Sequence, residues 1–214
     1  MNVGLAGKSV YAFGDSIVYG HMYPHSFMDV VAEYEGMTLT KFARNGATIG
    51  ADPYASGGQI LVQVEAATDI APDFVIFDGG TNDAQSIFRD RAYTIGTYAE
   101  ALEKTLHAMK RKWPTARIVY VAAHKLGSRD WDTQVALREV TLQACHKWDI
   151  AIADIFGDTT FDTRDDAQRA KYTFDDLVNG FPGTEGSGTH PNEAGITTFY
   201  VPVVSARLKQ ISPR

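Results

Sequence analysis

Five short runs rich in β-branched and aromatic residues recur along the chain, at residues 10–13, 39–43, 74–77, 117–122 and 150–153. Each of the first four is followed by a stretch in which apolar residues return every three to four positions, the period of a helix with one buried face. Phe27, Val30, Val31 and Tyr34 set that period over residues 26–35, and Gly36 closes it. Ile60, Val64 and Ala67 set it over 60–69, stopped by Pro72, and Ile95, Tyr98, Leu102, Leu106 and Met109 set it over 94–112, stopped by Trp113-Pro114. Val135, Leu142 and Cys145 mark a helix over 132–148, and a last helix follows Pro191, over 193–208. The run at 74–77 is apolar throughout, as expected of a central parallel strand covered on both faces. Strand and helix in strict alternation demand right-handed crossovers and helices on both sides of the sheet. The expected fold is therefore α/β, a three-layer α/β/α flavodoxin-like sandwich with a five-stranded, mainly parallel sheet. A chain of 214 residues, 44% of them hydrophobic, can bury one such core, so residues 1–214 read as a single domain. Residues 156–187 are Asp-rich and weakly periodic, and read as a long loop that shapes a site.

Charge narrows the partners. A formal net charge of -6 and a pI near 5.5 do not suit nucleic acid, which wants a clustered basic face. The basic run Lys110-Arg111-Lys112 closes a helix, where cations complement the dipole. Cys145 is the single cysteine, so no intramolecular disulfide forms, and its helical surroundings suit a buried thiol. The opening MNVGLAGKSV lacks the charged start and apolar core of an export signal, and no window reaches the ~20 apolar residues of a membrane span. The chain as given reads as soluble, with no membrane partner and a cytoplasmic location; removal of an earlier export signal stays open.

Chemistry gathers where strands end, because ligands of open α/β sheets bind outside the carboxyl ends of the strands. After the first run comes Gly14-Asp15-Ser16, after the second Asn45-Gly46, after the third Gly80-Thr81-Asn82-Asp83, and near the end of the chain Gly188-Thr189-His190-Pro191. Each alone is an ordinary turn, since Gly takes unusual dihedrals while Asp, Asn and Ser bond back to nearby backbone. Together they supply a hydroxyl, an imidazole, a backbone donor and a side-chain amide. Ester cleavage by acyl transfer needs that set: a hydroxyl activated by an adjacent base, and fixed N–H donors where the oxyanion forms.

On those blocks, which run from residue 14 to residue 192, the chain resembles the SGNH, or GDSL-type, hydrolases. The resemblance implies a serine esterase in which Ser16 is the nucleophile and His190 the general base, with the Ser16 and Gly46 backbone N–H groups and the Asn82 amide as the oxyanion hole. The family's fifth block places an Asp three residues before the His, where this chain has Ser187. Three readings of that difference stand: a Ser-His dyad oriented by the Ser187 hydroxyl or a nearby carbonyl, a substitute carboxylate from Glu185, Asp175 or Asp176, or an impaired enzyme. Tyr19, His21, Tyr23, Tyr54, Phe181 and His124 read as candidates for the pocket mouth. His21, His25 and His124 could be assembled into a metal site, but no metal and no cofactor is expected. The expected substrates are small acyl esters, most concretely acetyl groups on carbohydrate. A lysophospholipase or thioesterase of the same family and a catalytically dead carbohydrate-binding module are the alternatives. A nucleotide binder fits less well, since no Gly-x-Gly-x-x-Gly fingerprint follows the first run.

Overall fold

The computed structural model describes residues 4–21, 25–51, 58–90, 92–174 and 186–213. Five strands, β1 (Ser9–Phe13), β2 (Thr38–Lys41), β3 (Phe74–Phe77), β4 (Arg117–Ala122) and β5 (Ala151–Asp154), form one sheet in the order β2-β1-β3-β4-β5. Every pairing in it is parallel. The order reverses between β1 and β3, which opens a crevice at their carboxyl ends. All four residues of β3 are buried, Val75 and Phe77 on one face and Phe74 and Ile76 on the other.

Two apolar clusters follow from that alternation. On one face Phe13, Val75 and Phe77 meet Ile60 and Val64 of α3 (Ile60–Ala66), Tyr98, Leu102, Leu106 and Met109 of α5 (Ile95–Lys112), and Leu137 of α6 (Trp131–Lys147). On the other Val10, Ala12, Ile76 and Val119 meet Phe27, Met28 and Val31 of α2 (Phe27–Glu35) and Val204 and Leu208 of α10 (Val201–Ile211). Helices thus cover both faces of the sheet, as the alternation requires. Cys145 is buried in the first cluster, and burial pushes its thiol up to about 12.

Five elements differ from the reading of the sequence. Ser16 opens a one-turn helix, α1 (Ser16–Tyr19), capped by the Asp15 carboxylate on Ile17 N–H. Thr81-Asn82-Asp83 is the first turn of a helix, α4 (Thr81–Arg89), rather than a turn alone. The stretch taken as loop contains α7 (Ile155–Asp158) and α8 (Asp166–Tyr172), the latter started by Asp165 accepting from Gln168 N–H at 2.8 Å. The last helix is composite: α9 (Glu193–Gly195), a π-helical turn at Ile196–Tyr200, then α10. Among the described residues no helix is long and apolar enough to cross a membrane.

Candidate active site

Gly14 ends β1 at φ +147°, where a Cβ would stand 1.9 Å from Asp78 Oδ1. No other residue fits there, and the turn is held from two sides. The Gln63 amide of α3 accepts from Gly14 N–H and donates to Gly14 C=O, each at 3.0 Å. Asp78, just past β3, accepts the Asp15 N–H at 3.0 Å. Asp15 and Asp78 are both buried. Burial raises both carboxyls; Asp78, facing the Asp15 charge as well, is held well above the carboxylate range. Its Oδ2 has no hydrogen-bond partner among the described residues. Ser16 is set at the carboxyl end of β1 by a turn that leaves its backbone no freedom.

His190 arrives from the far end of the chain. Ser16 Oγ and His190 Nε2 stand 2.8 Å apart, bridging 174 residues. The segment before His190 is anchored on several sides: Gly188 C=O accepts from Thr163 Oγ1 at 2.8 Å, and His190 C=O from Phe174 N–H at 2.9 Å. The Ser187 hydroxyl accepts the backbone N–H groups of Thr189 and His190 at 3.2 and 3.1 Å. It shapes the backbone of that segment. Glu185, Asp175 and Asp176, like Tyr23, Tyr54 and Phe181, lie outside the described residues.

Gly46 takes φ +75° in the tight turn after β2, where Ala47 N–H donates to Arg44 C=O. The Asn82 amide, on the first turn of α4, donates to Ala47 C=O at 2.9 Å and lies 3.5 Å from Asp15 Oδ2. It crosses to the neighbouring loop instead of capping its own turn. Asp83, buried beside it, accepts the N–H groups of Ile49, Gly50 and Ala51 at 2.8, 3.0 and 3.3 Å and the Tyr93 hydroxyl at 2.7 Å. One carboxylate therefore fixes the segment that follows Gly46. Gly46 and Asn82 border a groove of about 370 Å³ whose other walls include Gln85, Ser86, Arg89 and Tyr93.

The remaining candidates separate. His21 donates its N–H to Ser16 C=O at 3.0 Å and packs its ring on His190, centroids 4.3 Å apart. Tyr19 is 48% exposed on α1. His124 borders a small cavity with Gly80, Thr81 and Tyr120, yet it is 1% exposed, stacked on Phe161 and bonded through Nδ1 to the Tyr200 hydroxyl at 2.8 Å. A strand end in a three-layer fold can lie under the last helix, and here the π-helical turn brings Tyr200 over it. Burial, then the charge of His190, pushes the His124 imidazole down to about 3. Gln63 and Asp78 had escaped the reading of the sequence. Gln63 left one trace, a polar residue beside Ile60 and Val64 on an otherwise apolar helix face.

A hydroxyl at hydrogen-bond distance from an imidazole, over the crevice of a doubly wound sheet, defines a hydrolase-like α/β protein. The chain belongs to the GDSL-like lipase/acylhydrolase family, whose model matches residues 12–196. Solved structures share the fold at low identity. A protein from Lactobacillus plantarum matches at 19% identity over 96% of this chain and 95% of its own, with a TM-score of 0.70. Phospholipase A1 from Streptomyces albidoflavus matches at 15% over 94% and 100%, TM-score 0.65. An active site mutant of a family two carbohydrate esterase from Clostridium thermocellum matches at 14% over 95% of this chain and 64% of that one, TM-score 0.65. No curated protein matches the chain significantly.

Proposed function

We propose that the chain is a serine esterase that cleaves small acyl esters, acetyl above all, from carbohydrate. The contact of Ser16 Oγ with His190 Nε2 at 2.8 Å carries this reading. Ser16 Oγ attacks the ester carbonyl and its proton passes to Nε2; the tetrahedral intermediate then expels the alcohol, which takes that proton back. Water repeats the sequence on the acyl-enzyme and releases the acid. The Ser16 and Gly46 N–H groups and the Asn82 amide receive the oxyanion; among the described residues neither backbone group donates to a protein acceptor.

A sugar-borne ester is supported by the groove next to these donors. Its amide, hydroxyl and guanidinium groups match hydroxyls better than an alkyl chain, which would strip them of hydrogen bonds. The proposed machinery pairs Ser16 with His190, and the Ser187 hydroxyl, which accepts the Thr189 and His190 N–H groups, would shape the backbone ahead of the imidazole. Glu185→Gln, Asp175→Asn and Asp176→Asn should each change kcat less than tenfold, and a loss near a thousandfold in one of them would identify an acid behind His190. The esterase reading is tested with p-nitrophenyl acetate. Wild-type protein should hydrolyse it and Ser16→Ala should not; equal rates in the two proteins would sink the reading.

A further inference from the structure

Beyond Asn82, one wall of the groove carries chemistry that acyl transfer does not use. α4 lines it with Asn82, Gln85, Ser86 and Arg89, positions i, i+3, i+4 and i+7, which share one face of a helix. At 1.5 Å of rise per residue, Arg89 stands about 10 Å along the axis from Asn82, the reach of one sugar ring beyond an ester carbonyl. Among the described residues Gly46, Gly50, Ala51, Ala92 and Tyr93 also border it, and the cationic side chain there comes from the helix.

Arg89 is charged and, among the described residues, lacks a protein counter-ion. Lys112, Arg138 and Arg164 pair with Asp69, Asp154 and Asp162, whereas Arg89 has no Asp or Glu within ion-pair distance among the described residues. With the Gln85 amide oxygen turned toward it, Arg89 donates from Nη1 and Nη2 at 3.3 and 2.6 Å, which ties the guanidinium to its neighbour on the groove face of α4. Asp90 also borders the groove, and its Oδ1 accepts the Ala92 N–H at 2.9 Å. A second cation, Arg129, donates from Nε to Thr81 C=O at 2.7 Å at the start of the same helix. Burial lowers its pKa, the charge of Asp15 raises it, and the like charge of Arg89 lowers it by less. In a protein of net charge -6, Arg89 therefore brings a positive charge into the groove that holds Asn82, the feature an anionic ligand would meet there.

We propose that this groove takes the alcohol half of the ester and selects an anionic polyol: a single sugar unit whose carboxylate or phosphate docks on Arg89 while its hydroxyls meet Gln85 and Ser86. The proposal rests on the esterase reading above and names the substrate class within it. A planar guanidinium binds either oxyanion through two charge-assisted hydrogen bonds.

The test is a ratio of kcat/KM values, anionic over neutral ester, with an acetylated methyl glucuronoside, acetylated glucose 6-phosphate and the matching acetylated methyl glucoside as probes. Wild type should favour the anionic esters at least tenfold, and the preference should shrink as salt rises, because Arg89 is exposed. Arg89→Gln should bring the ratio near one, Arg89→Lys should keep part of it, and Arg111→Gln, on the far side of α5, should leave it at the wild-type value. Whichever anionic probe is better identifies the group bound. A wild-type ratio near one, or a ratio unchanged in Arg89→Gln, overturns the proposal while p-nitrophenyl acetate is still cleaved. Absence of p-nitrophenyl acetate hydrolysis instead overturns the esterase reading and this proposal with it.

Discussion

The Asn82 amide has two hydrogens and two nearby acceptors of unequal quality, Ala47 C=O at 2.9 Å and Asp15 Oδ2 at 3.5 Å. The long contact is the one an oxyanion would displace. Asn82→Ala should therefore lower kcat on p-nitrophenyl acetate by ~10²–10³ while KM moves little. An unchanged kcat would reduce Asn82 to a loop tie. His21 offers its ring to His190, which in the proposed mechanism becomes an imidazolium during turnover. A neutral ring face favours that cation, so His21→Phe should retain more of kcat/KM than His21→Ala; the reverse order would show that the ring contact is passive. Asp78 gives a sign to the pH dependence. Its folded pKa is raised, so its contribution to stability is complete below the ordinary value of 3.8 and is lost as pH climbs through the raised one. Asn keeps the acceptor for Asp15 N–H and cannot ionise. The Tm of Asp78→Asn relative to wild type should thus increase from pH 5 to pH 9; a constant difference would contradict this.

Among the elements, α4 does the most for the site and was the least legible. Its sequence, TNDAQSIFR, buries Thr81, Asp83 and Ala84, so no apolar stripe announces it. α8 buries no residue at all, and a helix that buries nothing has no periodicity to read. The sheet was legible for the opposite reason: β3 is covered on both faces and α5 packs Tyr98, Leu102, Leu106 and Met109 inward, which forces the pattern into the sequence. The motif blocks were legible as turns on one edge, and Ser16 and His190 do meet there. Gln63 and Asp78 were not, because what they touch is set by how α3 and β3 approach Gly14. The Asp83 clamp yields a prediction at this scale. Asp83→Ala leaves three amides and the Tyr93 hydroxyl without their acceptor, at a cost of about 1–3 kcal/mol per group left buried and unsatisfied. Urea titration should show a loss of at least about 2 kcal/mol, together with weaker catalysis because the Gly46 segment is released; full stability would mean that the clamp is redundant.

At the scale of the whole molecule, the two ends of the chain are joined by the Ser16–His190 contact and by the packing of α10 and the π-helical turn over β4. His124 records that packing in its titration. Its folded value, about 3, lies below the ordinary 6.5, so the stability it contributes is present above pH 6.5 and is lost as pH falls toward 3. Over that window unfolding takes up close to one proton at this site, a slope approaching 1.4 kcal/mol per pH unit. His124→Phe should flatten the acid side of the stability curve by about that slope; an unchanged curve would place the proton elsewhere. The claim on which the rest depends is that Ser16 is a nucleophile activated by a histidine 174 residues away. The most direct measurement is the rate and position of labelling by an organofluorophosphate, followed by intact mass and peptide mapping. One adduct per chain, on Ser16, forming orders of magnitude more slowly in His190→Ala, is the predicted result; an adduct at another residue, or equal rates in the two proteins, would contradict it.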